Sequence, residues 1–304
     1  MTLTGSEDKL LLVGDNPFHN ISHLSQERAR ARAEDPGNPT YAAGLIEASV
    51  ANGANGFTFS VSETTLAILK ELNFRGAIDS LGLYPVVPYA FEYVRLANQL
   101  GGIPQLGKMV IKDILSSRNL QALGMGFRGA VTMDIGSLLK TYLSYEVSRV
   151  KSVAGSKARL GSVLLHQLVT DLALALRLDW LFKDYVAYLS REGFTPGFNT
   201  GNFAFLVDRF REWDIDMRKV AILAPFNKVG FQMVPSVEAC EKALPGLPAP
   251  VVIAMSVLAA GYLSPSDAAG YIAGLPNIRG VAAGVSKESH AKTTFNLFRN
   301  AFEA

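Results

Sequence analysis

The reading turns on residues 250–287. They run Pro250-Val251-Val252-Ile253-Ala254-Met255-Ser256, then Val257-Leu258-Ala259-Ala260-Gly261-Tyr262-Leu263, and later Gly280-Val281-Ala282-Ala283-Gly284-Val285-Ser286-Lys287. Two short apolar, β-branched runs each end in a turn of small residues. Neither run alternates, which is the pattern of a strand covered on both faces. One helical stretch separates them and another follows. Strand, helix, strand, helix in one direction is the unit of a parallel α/β fold.

The same unit recurs upstream. Residues 10–13 form a first apolar strand ending at Gly14-Asp15-Asn16-Pro17-Phe18-His19. A charged stretch from 22 to 40 reads as an irregular or partly helical loop. A helix over 41–52 stops at Gly53, and 56–61 is strand two. Ser62-Glu63-Thr64-Thr65 caps the helix after it. Strands are expected over 84–90, 129–134, 161–167, 194–199 and 219–225. Helices are expected over 91–100, 107–123, 137–153 and 172–191, with Trp180 and Tyr185 of the last packing in the core. A further helix follows residue 202, and another spans 237–243.

This makes nine candidate strands for an eight-stranded barrel. One is therefore expected outside the ring, either the first or the third, which holds Pro85 and Pro88. The expected architecture is a single (β/α)8 barrel domain over residues 1–304, with extra helices or one extra strand. A chain of 304 residues suits about 250 residues of barrel plus additions.

Composition narrows the function. The chain is 49% hydrophobic and 18% charged, with a net charge of +2 and no basic stripe, so nucleic acid is not an expected partner. No apolar run approaches the ~20 residues that cross a bilayer, and the first residues lack a signal-peptide order. A cytoplasmic protein with no membrane partner is expected. The single Cys240 excludes an intrachain disulfide, and its acidic neighbours Glu238 and Glu241 mark it as structural.

In a parallel barrel the residues just past each strand converge on one face. That rim collects Asp15, Asn16, His19, Ser60, Ser62, Glu63, Tyr89, Asp134, His166, Gln167, Asn199, Asn202, Asn227, Lys228, Ser256, Ser286 and Lys287. His166, ending an apolar strand, is the foremost candidate for proton transfer, with Asp134 or Asp15 orienting it or acting as base. Lys228 is a candidate Schiff-base lysine or an anion partner. Asp15, His19 and His23 have the spacing of a metal set, but Pro17 and Asn20 argue for a turn there, and no metal is expected. Gly284, Val285, Ser286 and Lys287 precede a helix, a setting in which backbone N–H groups and the helix field favour an anion. The expected ligand is a small anionic or phosphorylated molecule, and homo-oligomers are compatible with the sequence.

Residues 160–298 also resemble the aldo-keto reductase family. The resemblance rests on Leu164-Leu165-His166, Gly197-Phe198-Asn199-Thr200-Gly201-Asn202-Phe203, and Ala224-Pro225-Phe226-Asn227. It continues in Ala254-Met255-Ser256-Val257-Leu258-Ala259-Ala260-Gly261-Tyr262-Leu263 and in Gly284-Val285-Ser286-Lys287-Glu288-Ser289-His290. It implies a barrel, a catalytic role for His166, and NADP held by Gly284, Val285, Ser286 and Lys287 together with Ser256, Asn199 and Asn202. The family's catalytic Asp and Tyr after strand two, and its Lys ending strand three, have no counterparts at those strand ends. The rivals to a barrel enzyme for an anionic ligand are a reductase with a rearranged catalytic set, a non-catalytic binding barrel and, third, a hydrolytic metal enzyme.

Overall fold

The structure is a computed structural model that describes residues 9–19, 37–88, 135–248 and 251–303. The strands are β1 (Leu10–Gly14), β2 (Gly56–Ser60), β3 (Gly82–Val87), β4 (Arg159–Leu160), β5 (Val163–Leu165), β6 (Pro196–Asn199), β7 (Ala221–Pro225), β8 (Val251–Met255) and β9 (Ile278–Gly284). The helices are α1 (Pro39–Ala51), α2 (Glu63–Phe74), α3 (Ile135–Ala154), α4 (Gln167–Ala175), α5 (Asp179–Arg191), α6 (Phe203–Glu212), α7 (Val237–Ala243), α8 (Pro265–Ala273) and α9 (Glu288–Glu303).

All pairings are parallel. The ring runs β1-β2-β3-β5-β6-β7-β8-β9 and closes where Leu10–Gly14 of β1 meets Gly280–Gly284 of β9. This is a closed eight-stranded (β/α)8 barrel. The two-residue β4 pairs only with β3 and lies outside the ring. Both suspected outsiders, the first and third strands, are ring members, which corrects the sequence expectation. Pro85 is tolerated for a local reason. On the side of β3 that faces β4 and β5, the register jumps from Leu83↔Leu160 to Val86↔Leu164. Pro85 falls in that gap, so its missing N–H removes no ladder bond there. The expected strand over 129–134 and the helices over 91–100 and 107–123 lie outside the described residues.

Two cores result. Leu12, Tyr84, Val86, Leu164, Ala221, Leu223, Val251, Ile253 and Ala282 fill the barrel interior. Leu11, Val13, Phe57, Phe59, Phe198, Val252, Ala254 and Val281 point outward and pack under the helices. Burial on both faces explains the unbroken apolar runs. Tyr84 plugs the floor: a Cβ on Gly161 would stand 2.5 Å from its ring, and one on Gly56 2.9 Å. That burial pushes the Tyr84 hydroxyl up to about 12.

The helix expected over 172–191 is two helices. Arg177 adopts φ 55, and Leu178 N donates back to Ala173 O, breaking the run between α4 and α5. Tyr185 is buried as expected, but Trp180 is 40% exposed, which corrects its assignment to the core. The Ser62 cap is present: its Oγ accepts from Thr65 N, and Thr65 Oγ1 accepts from Ser62 N at 3.0 Å. Cys240 is buried with its thiol against Val234 O, and burial raises its pKa. No helix among the described residues is long and apolar enough to cross a membrane.

Candidate active site

Strand alternation decides what faces the mouth. Leu164 lies in the barrel interior, so His166, two residues on, continues that inward face past the end of β5. Its backbone N donates to Val87 O at 2.9 Å, tying it to β3. The imidazole caps α4, with Nδ1 accepting from Leu168 N at 3.2 Å. A ring nitrogen that accepts carries no proton, so the neutral ring carries its proton on Nε2. Burial pushes the His166 pKa below its ordinary value, opposed by the charges of Asp15 and Asp171. His166 is thus a neutral Nε2–H donor near neutral pH.

Asp15 stands past the end of β1. Its Oδ2 accepts from Ser60 N at 2.7 Å and lies 3.2 Å from His19 Nε2. One carboxylate thereby joins the ends of β1 and β2 to the short turn Asn16–His19. Buried Phe18 anchors that turn on Phe57, ring centroids 6.1 Å apart. The structure thus brings Asp15 and His166 into one electrostatic neighbourhood. Tyr89, Asp134 and His23 lie outside the described residues. Among those described, no group of three or more His, Cys, Asp or Glu could hold a metal.

Asp171 is missing from a strand-end inventory because it lies on α4. Its Oδ1 accepts from Thr200 Oγ1 at 2.5 Å and its Oδ2 from Gly201 N at 3.1 Å, fixing the loop after β6. Thr200 Oγ1 in turn accepts from Asn202 N. Its position five residues after His166, one turn into the helix, is the only sequence signal for it. Asp171→Ala removes a charged acceptor from two donors, one on fully buried Thr200. It is expected to cost about 2 kcal/mol in urea unfolding.

Asn199 ends β6, and its buried Oδ1 has no hydrogen-bond partner among the described residues. It is an acceptor placed beside the β5 end with a donor still to find. Past β8, Ser256 takes φ 54 and donates from Oγ to Gln232 Oε1 at 2.9 Å. Ala259 and Ala260 are also left-handed, at φ 44 and 60. Such conformations cost roughly 1–2 kcal/mol each in an L-residue, so the surrounding packing holds this turn in place.

At the last strand end, Gly284 leaves room for the first turn, since a Cβ there would stand 2.8 Å from the Pro17 ring. Val285 is buried, while Ser286 and Lys287 open toward the start of α9. Tyr41 of α1 donates to Ser286 O at 3.1 Å, holding the turn. Lys228 is exposed. It rides a loop braced by buried Asn227, whose side chain donates to Phe231 O and accepts from Phe231 N, both at 2.8 Å. An exposed lysine lacks the desolvation that makes a Schiff-base nucleophile.

After β2, Ser62 caps α2, and the Glu63 carboxylate accepts from Arg149.

No family model and no curated protein matches the chain. Solved structures do match. Two structures of a putative aldo-keto reductase from Pseudomonas aeruginosa are similar at TM-scores of 0.61 and 0.59, each with 14% sequence identity. Both alignments cover 99% of this chain, and 93% and 94% of those chains. At that identity the likeness is one of fold.

Proposed function

We propose that the protein is an enzyme working at the C-terminal mouth of its barrel on a small anionic substrate that presents a carbonyl or phosphoryl oxygen. His166 carries the chemistry as a neutral hydrogen-bond donor through Nε2–H. The observation behind this is the Leu168 N to His166 Nδ1 bond on a partly buried ring, which sets the tautomer before any substrate arrives. A neutral imidazole donor polarises an oxygen and stabilises the developing oxyanion through its hydrogen bond, without adding charge and without losing its own proton. Asp15 and Asp171 raise the basicity of His166 through their fields while each is held by donors in the wall. The substrate's charged end is assigned to Ser286 and Lys287 at the start of α9, where the helix field favours an anion.

A second reading is favoured by Asn199 and by the fold. The orphaned Asn199 Oδ1 accepts a hydrogen bond from an N–H or O–H group, a role that fits the carboxamide of a nicotinamide ring. In this reading Asn199 orients that ring beside His166, Ser256 and Asn202 line the same wall, and residues 284–287 hold the far phosphate of NADP. The cofactor, when bound, supplies a hydride. His166 still polarises the carbonyl oxygen.

A turnover screen of small carbonyl compounds and phosphate esters, each with and without NADPH, tests both readings. Turnover without NADPH supports the first. NADPH consumption, together with quenching of its fluorescence on binding, supports the second. A protein that turns over nothing in either arm, and leaves NADPH fluorescence unchanged, is a non-catalytic barrel.

A further inference from the structure

We propose that the outward face of α4, continued into the first turn of α5, is the contact surface between two copies of this chain. Leu168, Leu172, Leu176 and Trp180 recur every fourth residue and are 52%, 56%, 60% and 40% exposed. Four-residue spacing stacks Leu168, Leu172 and Leu176 in one row on α4, and Trp180 follows the break at Arg177. Leu168 and Leu172 belong to α4, Leu176 ends it, and Trp180 stands in the opening turn of α5. Every exposed residue of α9, by contrast, is polar or charged, as a solvent-facing helix should be.

Charge selects the kind of partner. The one charged residue of α4, Asp171, is committed to Thr200 and Gly201. The cations that flank the row are held by acids: Arg177 by Glu212, and Lys183 by Asp179 at 2.9 Å. A helix that lies on an anionic membrane needs free Lys or Arg on its polar side. An acidic or basic protein partner would need an opposite field. An uncharged apolar row best matches another uncharged apolar row, and the same row on a second copy is one.

The geometry allows a two-fold contact. An i, i+4 row is a packing ridge, and two such ridges interdigitate at about −50°. Around a two-fold axis the surface meets itself, with Leu172 central and Leu168 facing Leu176. The four side chains expose roughly 300–400 Å² of apolar area. At a little over half apolar, an interface built on them covers about 600 Å² per copy. The total of about 1,200 Å² meets the lower end of stable interfaces. A dimer dissociating in the micromolar range, on the order of 1–10 µM, is expected for such an area.

Sedimentation equilibrium of the full chain over roughly 1–100 µM tests this. The 32.8 kDa chain is expected to double its mass as concentration rises. Leu172→Glu is expected to stay monomeric with unchanged circular dichroism. Phe74→Glu, which alters an 86% exposed side chain on α2, is expected to dimerise like the wild type. A wild-type monomer throughout, or a Leu172→Glu dimer, overturns the proposal. So does flotation of the wild type with anionic vesicles, which would assign the row to a membrane. A fall in melting temperature of monomeric Leu172→Glu also overturns it, because the row would then be covered within the chain itself.

Discussion

Gly280→Val is expected to cost upward of about 4 kcal/mol of stability, enough to remove much of a typical domain's 5–15 kcal/mol. Gly280 sits at the seam that closes the barrel, paired with Leu10 on β1 and Ile253 on β8. The register slips by one residue just before it, between Val252 and Ile253, so the seam is already bent there. A Cβ at Gly280 would meet Leu10 O at 2.5 Å and Leu10 Cβ at 2.6 Å. Both atoms are fixed by the backbone ladder, so neither can swing aside as a flexible side chain would. Relief requires separating the first strand from the last. Urea unfolding checks this, with Gly270→Ala as the contrast. A Cβ at Gly270 meets nothing within 4 Å, and its position inside α8 makes the change neutral or stabilising by up to about 1 kcal/mol. A Gly280→Val midpoint equal to that of the wild type would mean that the seam is not closed as described.

His166→Ala is expected to lower turnover roughly 10²- to 10⁴-fold on any substrate the wild type accepts, with the fold retained. Alanine keeps the strand-end backbone bond to Val87 O but removes both the Nε2–H donor and the cap on Leu168 N. The same variant has a pH signature. The folded-state pKa of His166 lies below its ordinary value because burial disfavours the charged ring. The unfolded chain therefore binds this proton first, at about pH 6.5. Stability associated with the neutral ring is present above that pH and is lost as pH falls from there through the lowered folded value. His166→Ala should flatten the dependence of the urea midpoint over that window. An unflattened slope, or unchanged turnover, would move the chemistry away from His166.

Much of the barrel was readable in the sequence because burial on both faces leaves a plain mark. Residues 10–13, 251–255 and 280–284 are apolar without alternation, and each proved a ring strand. That same mark conceals which residues face inward, since Leu12 and Leu11 look alike yet belong to different cores. Pro85 pointed away from a ring strand because the break in pairing beside it comes from register, which composition does not record. Residues 161–167 read as one strand, but only Val163–Leu165 are β5; Gly161 lies before it, where the Tyr84 ring takes the space a side chain would need, and Gln167 already begins α4. Residues 172–191 hold neither Gly nor Pro, so nothing announced the left-handed Arg177 that splits the helix and leaves Trp180 exposed. The strand-end rule named Asp15, His166, Asn199, Ser256 and the turn at 284–287, and each stands at the end of a ring strand. It could not find Asp171, which bonds the loop after β6 from a helix, and Lys228, which it also named, is exposed.

The protonation state of His166 tests the central claim most directly. Long-range ¹H–¹⁵N correlation spectra of imidazole-labelled protein, with His166→Ala used for assignment, report which ring nitrogen bears the proton. The expected result at pH 7 is a neutral ring protonated on Nε2 that becomes charged only below the ordinary histidine range. A ring already charged at pH 7, or neutral with its proton on Nδ1, would contradict the account, because His166 could then neither accept from Leu168 N nor present a neutral donor to the mouth of the barrel.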